Sequence, residues 1–338
     1  MMDNRVYFSS SLPSTNEHKA DVKADGTIDV IAAAAANTQR PSALIIARHA
    51  IKSLHAELLL YPKPGLVSPL DNGSHTDMDS HLFMRSIFSL RHYFLRMAKA
   101  GAAEAPFVEL KQLGMQAEQR MMAATGGINT HRGAIFSLGL LCAAAGYCHA
   151  TRPLLPLTAN YLRRMLLALW GEALATHSIV NTTRSNDILS NGTRAAAQYG
   201  VSGAREEAAQ GFPSIFDIAL PRLQQTLATG RSDTDAQIDA LFSLMANMND
   251  TNIYHRGGTM AASLVRQSAQ QFLAAGGTAH SDWRATASRY HQLFVQHRIS
   301  PGGAADLLSA SWFVHLLVAH NTVGDTANAT DRLPSQYE

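Results

Sequence analysis

The polar residues of this chain gather in five joints between apolar segments. The stretch GGINTHRGAIFSLGLL, residues 126–141, places Asn129, Thr130, His131 and Arg132 ahead of Gly133 and a run that reads as a buried helix. A helix start presents unpaired N–H groups and partial positive charge. Histidine and arginine at such a mouth make a seat for an anion, most often a phosphate. A cap by Thr130 or Asn129 explains the same residues without a ligand.

The other joints repeat the theme. Tyr61 to Asp79, YPKPGLVSPLDNGSHTDMD, carries the cations Lys63 and His75 and the carboxylates Asp71, Asp77 and Asp79. Thr76 and Asp79 have capping-box spacing, which leaves Lys63, Asp71 and His75 unexplained. In GVSGAREEAAQGFP, Gly200 and Gly203 bracket a turn before Arg205, Glu206 and Glu207; Glu207 reads as a solvated helix charge. NDTNIYHRGG, residues 249–258, again sets a His-Arg-Gly run, His255 to Gly257, before an alanine-rich helix. In SPGGAADLL, Ser300 can cap, Pro301 suits the first helical position and Asp306 falls in the first turn. One such joint would be a cap, whereas five in an apolar helical chain point to one shared polar site. Paired His and Arg suit a polyphosphate. Asp71, Asp77, Asp79, Asp250 and Asp306 offer the oxygen ligands that Mg²⁺ takes alongside phosphates.

Around these joints the periodicity is helical. Apolar residues recur at helical spacing from Pro41 through His320, with one continuous helix over the segment ending at Gly101 and others over Leu157–His177, Ile215–Ala228 and Thr259–Ala275. Sustained strand alternation is nearly absent. The pattern predicts an all-α, bundle-like single domain of about ten helices with polar loops converging on one site. Residues 1–40 read as a poorly ordered extension, 41–325 as the catalytic domain and 326–338 as a polar tail.

Bulk properties narrow the function. Of 338 residues, 46% are hydrophobic, and 28 basic against 26 acidic residues leave a net charge of +2. A nucleic-acid or membrane-surface binder would carry a basic excess. Ile31–Ala36 is too short to span a bilayer, and the first residues lack a signal-peptide pattern. Cys142 and Cys148, six apart on one helix, suit neither a disulfide nor a zinc cage; a reducing cytoplasm is expected. No P-loop, strand-linked GxGxxG, HExxH or GxSxG motif is present.

PKPGLV, DNGSHTDMD, NTHRGAIFSLGLL, GAREEAAQGFP, NDTNIYHRGG and SPGGAADLL, in this order, resemble the triphosphoribosyl-dephospho-CoA synthases from about Glu57 to about Leu317. DNGSHTDMD and SPGGAADLL look closer to the malonate decarboxylase branch than to the citrate lyase branch. The resemblance implies a transferase that joins the triphosphoribosyl unit of ATP to the 2′-hydroxyl of 3′-dephospho-CoA and releases adenine. The product is the precursor of an acyl carrier protein's prosthetic group. Mg²⁺ and a possible homodimer go with that reading. Inversion at the ribose implies single displacement, with a base for the attacking hydroxyl.

On that reading Lys63, His75, Asn129, His131, Arg132, Arg205, His255 and Arg256 hold substrate phosphates. Asp77, Asp79 and Asp250 hold Mg²⁺ or transition-state charge, with Asp79 also a catalytic candidate. Glu206 and Asp306 are alternatives for base or oxocarbenium stabiliser. One departure stands out: Asn191 occupies a place where the family often has histidine, and asparagine cannot serve as a base. A Mg²⁺-dependent hydrolase of nucleotide or ADP-ribose glycosidic bonds, and a catalytically weakened binding protein, are the competing readings.

Overall fold

Apolar stripes at helical spacing can be buried only against one another, and the chain does this throughout. In the computed structural model, residues 42–153, 155–183 and 191–327 are described. They form α1 (Ala43–Leu59), α2 (Ser80–Ser89), α3 (Arg91–Ala102), α4 (Phe107–Ala124), α5 (Arg132–Thr151), α6 (Ala159–Thr183), α7 (Asn191–Tyr199) and α8 (Ala204–Ala209). A π-helical turn at Ser214–Ala219 then leads into α9 (Leu220–Ala228), α10 (Asp233–Asn247) and α11 (Thr251–Ala274). A 3₁₀ turn at Gly277–Ala279 precedes α12 (Trp283–Gln296) and α13 (Gly302–Ala327). No strand occurs among the described residues, so the all-α expectation holds. The expected extension, 1–40, and residues 328–338 of the expected tail lie outside the described residues.

The centre is α5. It is apolar on every side, with buried residues from Ala134 to Cys148, as a helix at the middle of a core must be. Both cysteines lie on it, buried and unpaired. Its neighbour α3 approaches backbone to backbone. A Cβ on Gly101 would sit 1.8 Å from the Ala143 carbonyl, and one on Gly146 would sit 1.9 Å from that of Ala98. α5 and the first part of α13 are each long and apolar enough to cross a membrane, yet 72% and 56% of their apolar windows are buried inside the protein.

Several boundaries differ from the sequence reading. The expected continuous helix before Gly101 is broken at Leu90, with α2 ending on Leu90 N–H bonded to Ile87. No proline or glycine marks the break, so periodicity ran through it. Asp79, not Thr76, caps α2: its Oδ1 accepts from Leu82 N at 2.7 Å. The expected Thr259 helix begins eight residues earlier, as α11, and kinks at Gly258 (φ 63°, ψ −155°). His255 and Arg256 therefore ride on a helical turn rather than a loop. Asn191 opens α7, but its side chain lies outside the described residues.

Candidate active site

The five joints do converge. One cavity of about 1250 Å³ opens among them, lined by Lys63, His75, Asp77, Asn129, His131, Arg132, Arg205, Glu206, His255, Arg256 and Asp306. Pockets for drug-sized ligands measure roughly 300–1,000 Å³, so this space suits two large substrates together.

Carboxylates crosslink the helix starts that build it. Asp250 begins α11, where its Oδ1 accepts from Asn252 N at 2.9 Å, while its Oδ2 accepts from Ala304 N of α13 at 3.0 Å. A Cβ on Gly303 would lie 2.8 Å from Asp250 Oδ1, so glycine is needed for this approach. Asp306, in the first turn of α13, in turn accepts the Ala134 N–H at the mouth of α5. Its Oδ2 would be 2.1 Å from a Cβ on Gly133. Asn129 Oδ1 takes the Arg132 N–H at 3.1 Å. The helix mouths expected to seat phosphates are thus largely filled by the protein's own oxygens. Ser300, expected to cap α13, instead bonds His75 Nε2 at 2.8 Å.

Two zones follow. The floor is buried: Glu57, Lys63 and His131 are 5%, 1% and 3% exposed. Lys63 Nζ donates to Glu57 Oε1 at 2.6 Å and to the Glu57 carbonyl at 2.7 Å. Burial pulls this ammonium below the usual lysine range while Glu57 pulls it back. Asp306 faces the cavity but is packed deeply. Burial first, then the charges of Glu57 and Asp250, hold its carboxyl well above the ordinary range, against the Ala134 N–H. His131 is pushed down to about 3 by burial and by Lys63. A buried imidazole beside an ammonium is held neutral, so His131 can offer a ligand a neutral N–H rather than a positive charge.

The rim is wet and charged. His255 and Arg256 are exposed, and Arg132 and Arg205 partly so. Arg256 reaches His75 Nδ1 at 3.2 Å and the Ser74 carbonyl at 3.4 Å, tying the 249–258 joint to the Tyr61–Asp79 joint. His75 also lies 3.6 Å from Asp77; burial and Arg256 lower its pKa, against Asp77. Arg132 pairs with Glu118. Among the described residues no carboxylate lies within 4 Å of Arg205 or Arg256, which leaves both available to an anion. Glu206 spends Oε2 on the Gly203 N–H at 2.9 Å.

Some sequence candidates fall elsewhere. Asp79 and Asp250 are not among the cavity's lining residues. Asp79 is an exposed cap and Asp250 a buried one. Asp71 is tied to His291 Nε2 at 3.0 Å. Glu207, read as solvated, is partly buried and accepts from Ser214 N at 2.6 Å. Among the described residues, no three His, Cys, Asp or Glu side chains gather to hold a metal unaided. Sequence reading missed Glu57, which looks like a surface charge in the last turn of α1; only its position on the buried face of that helix could have exposed it.

The model of the family described as ATP:dephospho-CoA triphosphoribosyl transferase matches residues 43–324, which include every joint. The chain belongs to this family. It is accordingly a transferase, as the sequence blocks indicated. A relative in Acinetobacter calcoaceticus, described as a probable 2-(5″-triphosphoribosyl)-3′-dephosphocoenzyme-A synthase, is 43% identical over 284 residues, 82% of this chain and 94% of its own. The synthase of that name in Klebsiella pneumoniae is 38% identical, covering 80% of this chain and 93% of its own. One in Pectobacterium atrosepticum is 36% identical over 82% and 90%. No solved structure matches the chain.

Proposed function

We propose that the protein moves the triphosphoribosyl unit of ATP onto the 2′-hydroxyl of 3′-dephospho-CoA, releasing adenine. The observation that carries this is the single cavity that joins an arginine-bearing rim to a buried acid-bearing floor. In our reading the rim arginines Arg256, Arg205 and Arg132, with His255 and His75, take the triphosphate and the acceptor's phosphates. The ribose C1 and adenine lie over the floor.

The attacking hydroxyl forms the new C1–O bond while the C1–N bond breaks and its electron pair leaves with adenine. Asp306, whose carboxyl is pushed toward the protonated form by burial, can deliver a proton to the departing base; a carboxylate base or cation stabiliser would need the charge that this site disfavours. Glu206, with one carboxylate oxygen free of the Gly203 N–H, takes the proton of the attacking hydroxyl. Glu57 keeps Lys63 in place beside them.

Mg²⁺ is proposed as a companion of the triphosphate. Asp77, 56% exposed at the rim, together with substrate oxygens and water, fits an ion that uses only one or two protein carboxylates; the ion would neutralise phosphate charge. Service to a malonate decarboxylase carrier protein rests on DNGSHTDMD and SPGGAADLL. A cytoplasmic setting agrees with the two buried free thiols, and a homodimer remains part of the proposal.

The test is to mix purified protein, ATP, Mg²⁺ and 3′-dephospho-CoA and follow adenine and product mass. Adenine released only with the acceptor, plus a product heavier by one triphosphoribosyl unit, is expected. Release without the acceptor would make the protein a glycosidic hydrolase instead.

A further inference from the structure

His131 opens α5, the helix at the middle of the core, and it is nearly inaccessible. Its Nδ1 lies 2.6 Å from Ser86 Oγ of α2. Ser86 Oγ itself receives the hydroxyl proton of Thr130 at 2.6 Å. A serine oxygen that accepts from threonine has its own proton to give, and Nδ1 is the acceptor it meets. The alternative direction would send Thr130's proton to the Met121 sulfur at 3.2 Å, a weaker acceptor. The ring proton therefore belongs on Nε2. That nitrogen has no partner within the protein although it is fully buried, and such groups are rare in native structures. The ring stands edge-on to Phe83, centroids 4.9 Å apart, and both side chains line the cavity.

We infer that the Thr130–Ser86 relay locks His131 as its Nε2–H tautomer, so that this N–H donates to an uncharged acceptor on the ribose–adenine part of the nucleotide. The acceptor's identity rests on the function proposed above; the tautomer does not. Ser86 becomes a positioning residue that acts through His131. A phosphate oxygen is the wrong partner, because it would draw the ring toward imidazolium while burial and Lys63 push it the other way. A ribose oxygen or a ring nitrogen of adenine accepts a neutral N–H without that conflict.

The experiment uses the full chain labelled with ¹⁵N, with histidine-ring proton–nitrogen spectra in which the His131 signals are identified by their loss in His131→Gln. The free enzyme should show Nε2 protonated and Nδ1 bare, and Ser86→Ala should mix the two tautomers. A protonated Nδ1 in the free enzyme overturns the relay, whatever the protein binds. ATP should move the Nε2 signal and inorganic tripolyphosphate should not; equal shifts overturn the acceptor assignment. So does the absence of a shift when equilibrium dialysis shows ATP bound. If dialysis shows no ATP binding, the proposed function fails with the acceptor, while the tautomer still stands or falls on the free-enzyme spectrum. Activity gives an independent readout. His131→Gln, which keeps a donor near the Nε2 position, should hold kcat/KM within about threefold, and His131→Asn should lose about tenfold or more. The reverse order overturns the assignment.

Discussion

The floor and the rim of the cavity are built from the same residue types and behave oppositely. Glu57, Lys63 and His131 are buried and Asp306 is partly so, and the protein sets their charge: one ion pair, one acid pushed toward its protonated form and one neutral imidazole. Asp77, Arg132, Arg256 and His255 are in reach of water, which screens and solvates their charges. Desolvation makes the difference, because taking a lone charge out of water costs far more than pairing returns at a wet surface. A histidine or aspartate in a catalytic motif therefore has no role until its depth is known. On the proposed mechanism, depth separates groups that handle protons from groups that handle phosphates.

The contrast can be broken at the floor first. Asp306→Asn keeps an acceptor for the Ala134 N–H but has no proton to give. It should lower the kcat of adenine release by roughly 10²–10⁴-fold with little change in KM for ATP. A loss under threefold in a variant that melts like the parent would remove the acid from the floor. Gly133→Ala comes next. The new methyl meets the Asp306 carboxylate, so kcat should fall by about tenfold or more as the acid is displaced. An unchanged kcat would show that Asp306 need not hold this position.

The rim should respond in KM. Arg256→Ala should raise KM for ATP by about tenfold and leave kcat nearly intact, and that KM should rise with salt in the parent. A fall in kcat alone would blur the two zones.

Stability gives a test that does not depend on the reaction. His131 titrates near 6.5 when unfolded and at about 3 when folded. Its contribution is thus complete above pH 6.5 and lost as pH falls toward 3, by about 1.4 kcal/mol per pH unit. Asp306 runs the other way: its raised folded pKa favours folding at acid pH, and the benefit fades as pH rises through that value. Chemical denaturation between pH 4 and 7 should show a flatter acid decline for His131→Gln than for the parent; parallel curves would mean His131 is not neutral by burial.

The helices and joints were legible because helical spacing and clustered polar residues both leave marks in sequence. Thr76 versus Asp79 was not, since either can cap and only backbone geometry chose Asp79. The place of Asp250 was hidden for a related reason: nothing in NDTN tells that both carboxylate oxygens will accept from backbone N–H groups, one of them 54 residues away. Glu57 and Ser86 were invisible because each sits inside an ordinary amphipathic helix. The break at Leu90 carries no breaker residue at all.

The links from Asp250 to α13 and from Asp306 to α5 have a consequence for synthesis in the cell. Asp306 lies near the end of the helical region, whereas the helix mouth it meets comes in the first half of the chain. A ribosome-bound chain that has made α1 through α11 holds the rim arginines but not the acid. On the proposed mechanism adenine cannot be lost before α13 has been made, whatever the earlier helices have folded into.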